Sequence, residues 1–182
     1  MKLGEKAADF SLPGTDGGMY ALKSFESAEA LVVVFSCNHC PYVQAYEGRM
    51  MDVQKDYASK GARLVAINSN DSSKYPDDGF EKMKERAAKI GFNFPYLHDE
   101  SQAAARAYGA THTPHLFVFD KSRRLAYTGK IDDNWERPDQ VRERYLRDAL
   151  DDLLSGKPPR RPETFAIGCT IKWKKGEETR RG

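Results

Sequence analysis

Two cysteines stand two residues apart in the stretch "FSCNHCPYV", Cys37 and Cys40, between an unbroken apolar run and a segment with helical periodicity. Thiols at this spacing can close a disulfide, or supply two of the four ligands of a tetrahedral zinc site. Their place at the start of a helix favours redox chemistry. A thiol there feels the positive end of the helix dipole and unpaired backbone N–H groups, which stabilise thiolate over thiol. Cys37 is therefore expected to be the nucleophile, and Cys40 the thiol that attacks a mixed disulfide formed at Cys37. Pro41 suits a first turn, where N–H groups lack intrahelical acceptors. An imidazole at His39 close to the Cys37 sulfur would lower its pKa further and make the disulfide more oxidising.

The competing readings are weaker on their residues. A zinc site would need His112, His115 or Cys169 to complete the ligand set, yet there is no second C-x-x-C, and Pro114 between the two histidines suits a cleft better than a ligand arm. No metal and no cofactor are expected. A redox-silent interaction module leaves the paired thiols unexplained. Cys169, in "IGCTIKW", reads first as a small buried residue in an edge strand where Ile167, Ile171 and Trp173 alternate around it, and second as a third redox thiol. His98 and Trp135 acquire no role. The polar loop from Asn68 to Asp78 is either a capped connection or a wall of the cleft.

The elements that must position the thiols follow from periodicity. "FSLPGTDGGMYAL" reads as two extended pieces around Asp16-Gly17-Gly18. "ALVVVFS" (30–36) is apolar throughout, as a strand covered on both faces must be. From Val43, the apolar residues Tyr46, Met50, Val53 and Tyr57 continue one helical stripe that ends near Gly61. A second buried strand spans 62–69, and a helix spans about 80–90, closed by Gly91. A short Ala-rich helix follows in "ESQAAARAYGA", then an antiparallel pair, 115–120 and 124–131. The last helix is expected to open at Pro138 and to carry Val141, Tyr145, Leu146, Ala149, Leu150, Leu153 and Leu154 on its apolar face. This order gives an α/β fold, a mixed central β-sheet with helices on both faces.

The chain has 182 residues, about two-fifths hydrophobic, with a formal net charge of +2, within the usual size of one domain and unlike a disordered chain or a basic nucleic-acid binder. Residues 157–182 hold eight Lys or Arg against three Glu, so the expected organisation is a domain over 1–156 with a basic C-terminal extension packed on it. The N-terminus lacks a signal-peptide core and no run approaches a membrane span, so a cytoplasmic protein without membrane or nucleic-acid partners is expected. Three cysteines in such a chain argue against a structural disulfide framework. The sequence does not define the oligomeric state.

The C-x-x-C at a strand-to-helix turn, with Thr113-Pro114 just before "HLFVFD", resembles the thioredoxin superfamily. Within it, "ADFSLPGTDGGMYAL", "FSCNHCPYVQAYE", "AINSND" followed by "YPDD", "YTGKIDDN" and "IGCTIKWK" resemble the peroxiredoxin-like group labelled alkyl hydroperoxide reductase/thiol-specific antioxidant. The resemblance implies a thioredoxin-like fold with an N-terminal hairpin and thiol–disulfide exchange with protein or small-molecule thiols and disulfides, sustained by a thiol reductant. It matches Cys37 to the attacking cysteine, Cys40 to the resolving one, and Thr113-Pro114 to the cis-proline loop, whose exposed backbone can pair with an extended substrate.

The departures are as informative. Thioredoxin carries Gly-Pro between the cysteines, a Trp before them and a buried acid six positions ahead; here Asn38-His39, Ser36 and Leu31 stand there, so the substrate surface and the proton path differ. Glu47 or a histidine is the candidate replacement for the acid. The peroxiredoxin pattern P-x-x-x-T-x-x-C fits neither cysteine. Placed on Cys40 it puts Val33 and Cys37 at the Pro and Thr positions; placed on Cys37 it puts Ala30 and Val34 there. Antioxidant peroxidase activity is the alternative to disulfide exchange.

Overall fold

Asp16 closes the first turn, its carboxylate accepting the Gly18 N–H at 2.9 Å and the Tyr20 hydroxyl at 2.5 Å. β1 (Ser11–Pro13) thereby pairs antiparallel with β2 (Met19–Ala21). The structure, a computed structural model, describes residues 1–176. Arg180 and Arg181 of the basic extension lie outside the described residues.

Seven consecutive buried residues form β3 (Ala30–Ser36), which leads into α1 (Pro41–Tyr57), β4 (Ala62–Asn68), α2 (Phe80–Ile90) and β5 (Tyr96–His98). Then come α3 (Ala103–Tyr108), β6 (His112–Thr113), β7 (His115–Phe119), β8 (Leu125–Gly129), α4 (Tyr145–Leu154) and β9 (Cys169–Thr170). The main sheet runs β5-β4-β3-β7-β8, with β3 parallel to β4, β4 parallel to β5, and the β7 and β8 pairings antiparallel. β6 pairs with β9 in a separate two-stranded ladder.

Alternation along β3 sends its residues to two cores. Ala30, Val32 and Val34 pack with Tyr46 and Met50 of α1, Met83 of α2 and Leu146 of α4. Leu31, Val33 and Phe35 pack with Ala104, Ala105 and Tyr108 of α3, with Phe10 and with Ile171. Helices therefore cover both faces, as the unbroken apolar run requires. At Gly91 the backbone takes φ 75°, the left-handed cap that glycine adopts without a Cβ penalty, and α2 stops there.

Two boundaries differ from the sequence reading. Pro138–Gln140 forms only an isolated 3-10 turn, Val141 is extended, and α4 starts at Tyr145. The intervening backbone is claimed by Asp133, whose carboxylate accepts the Arg142 N–H at 3.0 Å and whose own N–H reaches the Glu143 carbonyl at 3.2 Å. The strand around Cys169 is two residues long, with Ile171 buried and Ile167 40% exposed. β5 and the two-residue β6 are additions that short polar-flanked segments did not announce.

Candidate active site

The end of β3 and the start of α1 deliver the two thiols. Cys40 is the N-cap of α1, with Pro41 in the first turn, and Cys37 directly follows β3. Both are buried, Cys37 2% and Cys40 0% exposed. Opposite them lies Thr113, whose peptide bond to Pro114 is cis. Its hydroxyl sits 3.4 Å from Cys37 Sγ, and its carbonyl oxygen 3.2 Å from Cys40 Sγ. Cys37, Cys40, Thr113 and Pro114 are thus brought together as the sequence suggested.

The helix start acts on a different sulfur from the one expected. Because Cys40 is itself the N-cap, the N–H groups of the first turn act on Cys40 rather than on Cys37. A hydrogen bond from Cys37 pulls the Cys40 thiol down, helped by the Cys169 thiol and by the N–H groups of Val43 and Cys169, to about 4. The same Cys37–Cys40 hydrogen bond, burial and the Asp78 carboxylate push Cys37 up, against a lowering by the Thr113 hydroxyl. The two thiols therefore titrate together, with charge favoured on Cys40 over Cys37. With the proton on Cys37, the charge rests on Cys40. With the proton moved to Cys40, that thiol donates to the Thr113 carbonyl while the Thr113 hydroxyl donates to the Cys37 thiolate. Thr113 thus offers a hydrogen-bonding partner to each sulfur.

The buried acid near the thiols is Asp78, at the end of the polar loop. It is 0% exposed and accepts the Asn38 N–H at 2.7 Å, Asn70 Nδ2 at 2.8 Å and Asn68 Nδ2 at 3.2 Å. His39 Nδ1 lies 2.7 Å from an Asp78 carboxylate oxygen, so the ring is set against the acid. Asn38 is fixed further by its Nδ2 donation to the Asp77 carbonyl at 2.7 Å and by the Tyr96 hydroxyl, which donates to its Oδ1 at 2.9 Å. Glu47, the acid considered from sequence, is instead engaged by Arg86 through two bonds of 2.7 Å. The signal for Asp78 was the run "NSND" followed by "YPDD", more polar than a connection on a buried sheet needs; its convergence on the thiols required the fold.

Cys169 is not a buried anchor remote from the chemistry. It is half-buried, and its sulfur lies 2.9 Å from Cys40 Sγ. Among the described residues, the metal-capable side chains whose ligand atoms all lie within 4.8 Å of one another are Cys37, His39 and Asp78. His112 and His115 turn elsewhere, His112 Nδ1 to the Thr111 hydroxyl at 2.8 Å and His115 Nε2 to Thr128 at 3.2 Å, so they do not complete the zinc set considered from sequence. A shallow cleft of about 310 Å³ opens beside the motif, lined by Asn38, His39, Gln44, Asp77, Arg86 and Lys89 among others. No helix of the described residues is long and apolar enough to cross a membrane.

A five-stranded mixed sheet with paired thiols at the first strand-to-helix junction and a facing Thr-Pro loop defines a thiol-based oxidoreductase of thioredoxin-like architecture. The chain belongs to the AhpC/TSA family, whose model matches residues 3–128. An uncharacterized conserved protein from Geobacillus kaustophilus is 41% identical, with a TM-score of 0.90 over 96% of this chain and 94% of that one. The peroxidoxin BcpB of Mycobacterium tuberculosis shares the fold at 22% identity, with a TM-score of 0.66 over 86% of this chain and 97% of that one. A 1-Cys peroxiredoxin of Dictyostelium discoideum is 25% identical over 114 residues, which are 62% of this chain and 46% of that protein, so the chain matches about half the length of this relative.

Proposed function

We propose that the protein is a dithiol–disulfide oxidoreductase acting through Cys37 and Cys40. The observation that carries this reading is the pair of buried thiols at the start of α1, each facing a polar atom of Thr113. Transfer of the proton from Cys37 to Cys40 generates the Cys37 thiolate, which attacks a disulfide sulfur of the substrate and expels one thiolate. Cys40 then gives up its proton, attacks Cys37 Sγ and releases the second substrate thiol, leaving a Cys37–Cys40 disulfide for a thiol reductant to reopen. Asn38, His39, Thr113 and Pro114 shape the approach. The reaction is suited to a reducing compartment such as the cytoplasm, with protein or small-molecule thiols and disulfides as partners and no bound cofactor, and the described part of the basic segment, residues 157–176, is part of the same folded unit.

Peroxide reduction is the second reading. The family assignment favours it, and so does the Thr113 hydroxyl, which stands beside Cys37 as the threonine of the peroxiredoxin pattern would, although it comes from a different strand. Cys37→Ser is expected to abolish reduction of a disulfide substrate, and Cys40→Ser to accumulate mixed disulfide at Cys37. Equal residual turnover in the two variants would overturn the division of roles. Peroxide consumption exceeding disulfide exchange in the wild type would favour the second reading.

A further inference from the structure

The strap that follows α4 returns to the thiols by an unusual route. β9 pairs antiparallel with β6 in the register Thr113↔Cys169 and His112↔Thr170, so the chain's own backbone lies along the Thr113 edge. An added strand at such an edge is how extended peptides are recognised. The approach is close: a Cβ on Gly168 would stand 2.1 Å from the Thr113 carbonyl oxygen, so no larger residue fits without moving the strap. The strap is also tied down beyond the cysteine. Ile171 N–H reaches the Thr111 carbonyl at 3.0 Å, Lys172 N–H reaches Asn70 Oδ1 at 2.9 Å, and Gln102 bonds both Lys172 and Lys174 at 2.9 Å. These contacts hold Cys169 Sγ at 2.9 Å from Cys40 Sγ.

We propose that Cys169 is the third redox thiol of this centre, bound where a substrate cysteine would dock, and that it takes the disulfide over from Cys37. The inference rests on the exchange reading above. Once a substrate disulfide has been reduced to two thiols and the Cys37–Cys40 bond formed, Cys169 sulfur attacks Cys40 Sγ. The Cys40–Cys169 bond forms, the Cys37–Cys40 bond breaks with its electron pair on Cys37, and the proton of Cys169 ends on Cys37. This step is redox-neutral. It restores Cys37 for a second encounter and moves the disulfide from two buried sulfurs to one shared with the half-buried Cys169, where a reductant has access.

The test is disulfide mapping of the full-length protein oxidised by glutathione disulfide, quenched in acid, alkylated, digested and read by mass spectrometry. The expected result is a peptide carrying Cys169 linked to the peptide carrying Cys37 and Cys40, a link that persists in Cys37→Ser and disappears in Cys169→Ser, where the Cys37–Cys40 bond remains. Gly168→Val, which removes no sulfur, is expected to cut the Cys169 linkage at least tenfold while the Cys37–Cys40 bond still forms. Alkylated Cys169 in every oxidised molecule, alongside a normal Cys37–Cys40 bond, overturns this inference and leaves the exchange reading intact. Absence of any protein disulfide overturns both.

Discussion

At the scale of the residue, Cys37 is pushed up first by Cys40 and burial, and two further neighbours then act on it in opposite directions. Asp78 places a carboxylate beside a buried sulfur and pushes the thiol up, while the Thr113 hydroxyl hydrogen-bonds the sulfur and pulls it down. Asp78→Asn is therefore expected to move the Cys37 titration to lower pH, and Thr113→Val to move it to higher pH. The pH profile of exchange with a small disulfide checks both, and parallel shifts in the two variants would contradict the opposition. His39 meets Asp78 rather than the sulfur. The sequence placed His39 in the site, but the acid it meets was out of its reach because Asp78 lies forty residues along the chain.

At the scale of the element, α1 must be held rigidly because it carries the thiols. Asp132, in the stretch "YTGKIDDN", accepts the Tyr46 hydroxyl at 2.8 Å and Arg49 at 2.6 Å, which fixes the helix to the segment after β8. Glu47 on the same helix holds α2 through Arg86. Glu47→Gln leaves a half-buried guanidinium with one partner fewer, and a cost of about 2–3 kcal/mol in stability is expected. Since Glu47 faces Arg86 and not the thiols, the pH profile of exchange should be unchanged in the same variant. A shifted profile measured beside urea unfolding would restore Glu47 as the acid of the site. Helix periodicity from Val43 to Tyr57 made α1 legible in advance, whereas the late start of α4 was hidden because Asp133 captures the backbone after Pro138 through tertiary bonds.

At the scale of the whole molecule, stability should depend on pH through His115. Its Nδ1 accepts the Thr111 N–H at 3.3 Å. Its Nε2 lies 3.2 Å from Thr128 Oγ1, and the Thr128 hydroxyl itself donates to the Leu116 carbonyl at 2.9 Å, so the ring is held neutral with its proton on Nε2. Burial, with the nearby His112 and N-terminal amine, pulls its pKa down to about 4. Between about 4 and the model-peptide value of 6.5, only the unfolded chain binds the proton. Stability is therefore retained above 6.5 and lost as pH falls toward 4, by on the order of 3 kcal/mol. His115→Gln should flatten that limb, and urea unfolding at pH 7.5 and 4.5 compares the two proteins. An identical loss in both would assign the acid limb to other groups.

The sequence alone determined what its local chemistry dictates. An apolar run from Ala30 to Phe35 has to be a strand covered on both faces, a C-x-x-C before a helical stripe has to sit at a strand-to-helix turn, and Gly91 has to end a helix, because each rests on backbone geometry and periodicity over a few residues. Only the tertiary structure decided which groups share the thiols' surroundings. Thr113, Asp78 and Cys169 reach them from three separate segments of the chain through packing, hydrogen bonding and the β6–β9 register. Long-range contacts of that kind leave no periodic trace. Cys169 shows the difference most sharply, because alternation around it described an edge strand correctly in kind but was silent about the edge it joins, and that edge places its sulfur against Cys40.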